Sequence, residues 1–192
     1  RSLSSAASDV YKRQGYMRKI TLILGGARSG KSVFGEKLAL NKDSKPIYIF
    51  TAQSFDKEMD ERIRIHKDRR KKQSWQDVEA TINLPAAISE LGKKEKVILV
   101  DCLSLWLTNL ILNERNIDRD ITEFLNALEK SPGDVILVSS EVGLGIVPDN
   151  EMSRVFRDHL GSLHQKVAAI SETVIMMVAG IPMIVKGQNE LS

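Results

Sequence analysis

Apolar residues in this chain gather into short unbroken runs separated by longer amphipathic or charged stretches. Residues 20–24, 46–51, 96–101, 134–139 and 173–179 are rich in Val, Ile and Leu and lack polar alternation. Such runs suit strands buried on both faces of a parallel sheet, where neither set of side chains meets water. Between them, helical patterns cover 33–40, 57–70, 84–91, 103–113, 118–129 and 154–171. Strands alternating with helices predict a doubly wound α/β sheet that binds its ligand at the carboxyl ends of the strands. No internal repeat or low-complexity linker divides the chain, and 192 residues suffice for one domain with its own core, expected over 17–192.

The residues that follow the predicted strands carry the candidate chemistry. After the first comes Gly25-Gly26-Ala27-Arg28-Ser29-Gly30-Lys31-Ser32, which fits G-x-x-x-x-G-K-[ST] between a strand and a helix. Its glycines allow successive backbone N–H groups to curl around phosphate oxygens at the positive end of the helix, with Lys31 in reach of the β- and γ-phosphates and Ser32 a ligand for Mg²⁺. Residues 97–101 form an apolar strand ending in Asp101, the arrangement in which a carboxylate holds Mg²⁺ directly or through water. The same residue type also caps helices and turns, so the loop is what gives Asp101 its weight. After the run 134–139 stands Glu141 beside Gly143 and Gly145, as general base, Mg²⁺ ligand, ribose contact or simple turn cap; spacing alone leaves these open.

Composition adds limits. The chain is 42% apolar and 28% charged, with a formal net charge of +3, and residues 1–16 hold three of the basic residues against one acidic. The remainder is nearly neutral, which gives no reason to expect nucleic acid as a partner. Residues 57–72 carry eight Lys or Arg against four Asp or Glu, and a solvated helix face is the usual meaning of such a run. Within it Arg62, His66 and Arg70 repeat at i, i+4 and i+8, with Arg69 nearby. Guanidinium neighbours would disfavour an imidazolium and leave a nucleophilic nitrogen free beside a polyphosphate. His159 and His164 lie on a later amphipathic helix, where structural or surface positions are expected. One cysteine, Cys102, permits no internal disulfide and suits a reducing cytoplasm. No run approaches the roughly 20 apolar residues of a spanning helix. Residues 1–16 lack periodicity and an apolar signal core, and Met17 directly precedes a strand, so this segment is expected to be a non-native or disordered extension.

Together these motifs resemble the bifunctional adenosylcobinamide kinase and adenosylcobinamide-phosphate guanylyltransferase family of cobalamin biosynthesis. The resemblance covers 17–186 and rests on ordered segments: the Gly25 to Ser32 loop; Tyr48-Ile49-Phe50-Thr51-Ala52-Gln53; Asp56-x-Glu58-Met59-x-x-Arg62-Ile63-x-x-His66; Val100-Asp101-Cys102-Leu103-Ser104-Leu105-Trp106-Leu107-Thr108-Asn109; Glu141-Val142-Gly143-Leu144-Gly145-Ile146-Val147-Pro148; and Phe156-Arg157-Asp158-x-x-Gly161. It implies a RecA-like P-loop fold with helices on both faces of a mostly parallel sheet, ATP and GTP as nucleotides with Mg²⁺, adenosylcobinamide and its phosphate as substrates, and a homotrimer. It also implies that His66 attacks the α-phosphorus of GTP to form a guanylyl-histidine, and that Thr51, Ala52, Gln53, Arg69, Arg70, Glu79 and Asp101 belong to the nucleotide site. Covalent transfer through a histidine splits one difficult displacement into two, while Lys31 and Mg²⁺ offset charge on departing pyrophosphate. Three departures stand out: Lys71 where proline is usual, one residue inserted before Trp75, and Ser140 in place of a common asparagine.

Other classes make different demands. A small-molecule kinase without guanylyl transfer needs the loop and Asp101 but not His66. A nucleotide-switched binding protein would hydrolyse GTP slowly and transfer nothing. A nucleic-acid module based on residues 69–72 lacks aromatic interleaving apart from Trp75.

Overall fold

The computed structural model describes residues 19–53, 57–71 and 73–188, except the side chains of 57–60, 62, 66 and 69. The expected extension at 1–16 lies outside the described residues. Seven strands and six helices are described in these segments: β1 (Ile20–Gly25), α1 (Lys31–Lys42), β2 (Ile47–Phe50), α2 (Lys57–Arg70), β3 (Gln76–Glu79), α3 (Leu84–Leu91), β4 (Val97–Asp101), α4 (Leu103–Leu112), α5 (Ile117–Lys130), β5 (Asp134–Ser140), α6 (Glu151–Ile170), β6 (Thr173–Val178) and β7 (Ile181–Lys186). They build one sheet in the order β3-β2-β4-β5-β1-β6-β7, parallel except where β7 returns against β6.

Alternate side chains of each central strand enter different cores, which is why the runs show no polar alternation. Ile23, Leu99, Ile136 and Val138 pack under Phe34, Leu38 and Ala39 of α1. Leu22, Ile98, Val100, Val135 and Leu137 face the opposite way, against Leu84 and Ile88 of α3, Trp106 and Leu110 of α4, Phe124 of α5 and Leu163 of α6. Trp106 and Phe124 meet with ring centroids 4.9 Å apart, and the buried indole N–H is satisfied by the Ile82 carbonyl at 2.9 Å.

Two strands depart from the expectation. β3, Gln-Asp-Val-Glu, is an edge strand with one half-buried side chain, so its sequence shows almost no apolar signal. β7 follows a tight turn in which Ala179 and Gly180 both take positive φ, and its Pro182 disguises an edge strand as a loop.

The path of the chain fixes the position of the site. From β1 it crosses to β2 on one side, whereas from β5 it crosses to β6 on the other, although β1 and β5 are neighbours. Crossovers leaving in opposite directions open a crevice at the carboxyl ends of these two strands.

Candidate active site

β1 runs directly into the glycine-rich loop at this crevice. Arg28 (φ 55°) and Gly30 (φ 93°) take left-handed conformations that turn the chain back on itself. Gly25 has no room for a side chain: a Cβ there would lie 2.4 Å from Ser29 Oγ and 3.0 Å from the Met177 carbonyl. The loop carbonyls are held from outside, Gly25 O by the Glu141 N–H at 2.9 Å and Ser29 O by the Gly180 N–H at 3.0 Å. Lys31 Nζ donates to the carbonyl of Gly26 at 2.9 Å. α1 begins at Gly30 without a side-chain cap, whereas Asn116 and Asn150 cap α5 and α6. The first N–H groups of α1 thus remain available to an anion, and the helix dipole adds to the attraction.

A cleft of about 270 Å³ opens beside this loop, lined on one wall by Lys31, Ser32, Asp101 and Ser140. The facing wall includes Ile63, Lys67 and Arg70 from α2, and Tyr48, Phe50 and Leu105 contribute to the apolar part of the lining. Among the described lining residues, three cations against one carboxylate suit a polyanionic ligand.

Asp101 sits where β4 meets α4, and its carboxylate Oδ2 accepts from the Tyr48 hydroxyl at 2.8 Å. Burial, reinforced by the Asp101 charge, pushes the Tyr48 phenol well above its ordinary range, with the Arg70 guanidinium pulling the other way. The hydroxyl therefore stays protonated and donating. The next peptide, Asp101–Cys102, is cis. Thr51 binds both polar groups of Cys102: its hydroxyl donates to Cys102 O at 2.7 Å and accepts from Cys102 N at 2.9 Å. Asn109 Nδ2 donates in turn to Thr51 O at 2.8 Å. The Cys102 thiol, pushed up to about 11 by burial, is unreactive near neutrality.

Arg70 is 3% exposed, contrary to the solvated stripe that the helical spacing suggested. Its guanidinium carbon lies 3.6 Å above the Tyr48 ring, and Nε and Nη2 donate to Asp77 at 3.2 and 3.1 Å. Among the described residues Nη1 is buried without a partner, as is Ser29 Oγ in the loop. Buried donors left unsatisfied are costly, and a ligand with acceptor oxygens would relieve both. The side chains of His66 and Arg69 lie outside the described residues; the backbone at 66 belongs to α2, one turn from Ile63 and from Arg70.

The remaining sequence candidates are dispersed. Ala52 lines the cleft, while Thr51, fully buried, and Gln53, half-buried, are outside its lining. Glu79 lines a separate hollow with Val78, Asn83 and Glu90. The Glu141 carboxylate turns back to accept from the Gly143 N–H and lies 3.7 Å from His164 Nδ1, whose Nε2 shares a 2.8 Å hydrogen bond with Ser139 Oγ. Burial lowers the His164 pKa, partly opposed by Glu141. Sequence reasoning missed Tyr48, Phe50, Ile63, Lys67, Cys102, Ser104, Leu105 and Ser140 as lining residues. Phe50 was accessible through the strand-end rule, since it closes β2.

With a glycine-rich anion loop at the centre of the sheet and the strand-end carboxylate two strands away, the domain is of the P-loop α/β class. One solved structure, the protein PH0250 of Pyrococcus horikoshii OT3, shares the fold with a TM-score of 0.54 at 10% identity, covering 96% of this chain and 94% of that one. Residues 21–185 match the family described as cobinamide kinase / cobinamide phosphate guanyltransferase, and the chain belongs to it. The bifunctional adenosylcobalamin biosynthesis protein CobP of Pseudomonas aeruginosa is 45% identical over 169 residues, which cover 87% of this chain and 97% of that protein. CobU of Salmonella typhimurium, of the same description, is 36% identical over 180 residues, covering 86% and 98%.

Proposed function

We propose that this chain phosphorylates adenosylcobinamide with ATP or GTP and then transfers GMP from GTP to adenosylcobinamide phosphate through His66, giving adenosylcobinamide-GDP and pyrophosphate. The observation that carries this reading is the convergence of Lys31, Ser32 and Asp101 on a cleft walled by α2, the helix that contains His66. Family membership supplies the substrates.

In this reading Gly25, Gly26, Ala27, Arg28, Ser29 and Gly30 wrap the phosphates, and Lys31 exchanges the Gly26 carbonyl for phosphate oxygens. Arg70 Nη1 and Ser29 Oγ gain the acceptors they lack, and Ala52, Thr51, Gln53, Arg69 and Glu79 complete the nucleotide surroundings. Ser32 and Asp101 are the groups that would hold Mg²⁺. Among the described residues no group of three or more His, Cys, Asp or Glu side chains could cage a cation unaided. A hard ion of this kind keeps its waters and takes further ligands from substrate phosphates. Bound there, it would neutralise charge developing on the phosphoryl oxygens.

The kinase step is an in-line γ-phosphoryl transfer to the hydroxyl of the substrate, with positioning and charge stabilisation supplying most of the rate. In the second reaction the unprotonated ring nitrogen of His66 attacks the α-phosphorus, the bond to pyrophosphate breaks, and the other ring nitrogen gives up its proton, which it regains when the histidine is displaced. A corrinoid phosphate oxygen then displaces the histidine and takes the GMP. Glu141 is placed to order the loop at the end of β5 and serves as a candidate base together with Asp101.

A homotrimer is part of the proposal. It is supported by apolar side chains in water, among them Leu144 (82% exposed), Ile146 (97%) and Val147 in one loop and Ile181, Met183 and Val185 along one face of β7. A reducing cytoplasm is the proposed setting, in keeping with a single buried thiol. No helix among the described residues is long and apolar enough to cross a membrane.

The test is incubation with Mg²⁺ and GTP labelled at the α-phosphorus, in parallel with His66→Ala, followed by denaturing electrophoresis and acid. Acid-labile label on the parent and none on the variant is expected. A folded, nucleotide-binding parent that takes no label would leave a kinase alone.

A further inference from the structure

Tyr48 joins the two halves of the cleft. It lies in β2 with its side chain buried (2% exposed), its hydroxyl reaching across to Asp101 Oδ2 at the end of β4. Its ring is occupied on two further sides: Arg70, the last residue of α2, lies over the face with its guanidinium carbon 3.6 Å from the centroid, and Trp75 meets it edge-on, with centroids 5.6 Å apart and planes at 87°. Asp77 fixes the far side of Arg70 through two hydrogen bonds. Among the described residues, Tyr48 supplies the one side-chain hydrogen bond to the Asp101 carboxylate.

A carboxylate at a strand end rotates freely about its terminal bond unless one oxygen is held. The Tyr48 hydroxyl holds Oδ2, which leaves Oδ1 as the oxygen presented to a ligand. A guanidinium stacked on a tyrosine and forked onto a carboxylate is likewise restricted in both position and plane.

We propose that Tyr48 is a positioning residue for both reactions: its hydroxyl orients the Asp101 carboxylate toward the cation, and its ring seats Arg70 and so the carboxyl end of the His66 helix. The inference rests on the reading of Asp101 as the Mg²⁺-side carboxylate given above. It explains why a polar tyrosine is buried in an otherwise apolar strand. It also predicts that the two functions of the side chain separate by substitution.

Tyr48→Phe deletes the hydroxyl and keeps the ring. Loss of a hydrogen bond to a charged group at a catalytic position lowers kcat of the kinase step about tenfold. With Mg²⁺ at saturating concentration the KM for nucleotide stays within about twofold. Independently of turnover, Mn²⁺ binding followed by electron paramagnetic resonance, with a non-hydrolysable GTP analogue present, weakens several-fold. Arg70→Lys keeps the charge but loses the stack on Tyr48 and the fork onto Asp77, so self-guanylylation slows. Cooperative unfolding of both variants near the parental midpoint separates these effects from misfolding.

Tyr48→Phe with parental kcat and parental Mn²⁺ affinity overturns the proposal, provided that Asp101→Asn is inactive. If Asp101→Asn keeps full activity and Mn²⁺ binding, the reading of Asp101 fails first and the inference falls with it.

Discussion

Replacing Thr51 by valine removes one oxygen atom and keeps the shape of the side chain. The structure makes that oxygen expensive to lose. It serves both backbone polar groups of Cys102, at 2.7 and 2.9 Å, in a residue with no exposed surface. Without it the Cys102 N–H has no partner, at a cost of about 1–3 kcal/mol, whereas the Cys102 carbonyl keeps the Trp106 N–H at 3.2 Å. With the carbonyl's second bond also gone and the hydroxyl's own desolvation returned, the net loss is about 2 kcal/mol. For a chain of this size that corresponds to a fall in Tm of about 4–8 °C. Thr51→Ser keeps the oxygen and gives up one methyl group, a loss of about 1 kcal/mol. Urea unfolding of the parent and both variants, with equal m-values, measures the two differences. A Thr51→Val loss under about 1 kcal/mol, or equal losses for both variants, would refute the reasoning. The pair also separates two uses of Thr51. If its hydroxyl acts chiefly by touching nucleotide, Thr51→Val weakens binding and leaves stability intact; if it acts by holding Cys102, stability falls first.

Gly25→Ala places a Cβ against Ser29 Oγ and the Met177 carbonyl, at 2.4 and 3.0 Å, so the phosphate loop must shift. Nucleotide affinity measured by calorimetry should drop by at least about tenfold, equivalent to roughly 1.4 kcal/mol. His164 is held neutral by burial, and its folded pKa lies below the ordinary histidine value of 6.5. Below pH 6.5 the unfolded chain binds a proton that the folded chain refuses, so stability contributed by this group is present above 6.5 and is lost as the pH falls toward the folded pKa. Unfolding midpoints of the parent and His164→Gln, compared from pH 7.5 to 5, should therefore converge on acidification; a constant gap would remove His164 as the source.

The strands that flank the crevice were legible because they are buried on both faces, and a continuous apolar run has few other meanings. Their ends then pointed to Lys31, Ser32 and Asp101, which the structure brings to one cleft. Arg70 was misread for a physical reason: the helical spacing placed it on a charged stripe, but stacking on Tyr48, 22 positions earlier in the chain, and pairing with Asp77 pull it inside. The Ser139–His164–Glu141 contacts were hidden in the same way, since they join the end of β5 to the middle of α6. Edge strands fared worst. β3 buries too little to leave a pattern, and β7 alternates half-buried with exposed apolar residues around a proline.

That last hairpin bears on how damage in this protein would be interpreted. The Gly180 N–H props the carbonyl of Ser29, so the turn between β6 and β7 helps aim the amides of the phosphate loop inward. None of residues 179–186 lines the cleft. In a mutational screen, lesions in this turn would mimic lesions in the loop itself, because both destroy the same curvature of backbone, and a map of sensitive positions would extend the apparent nucleotide site to a strand outside the cleft.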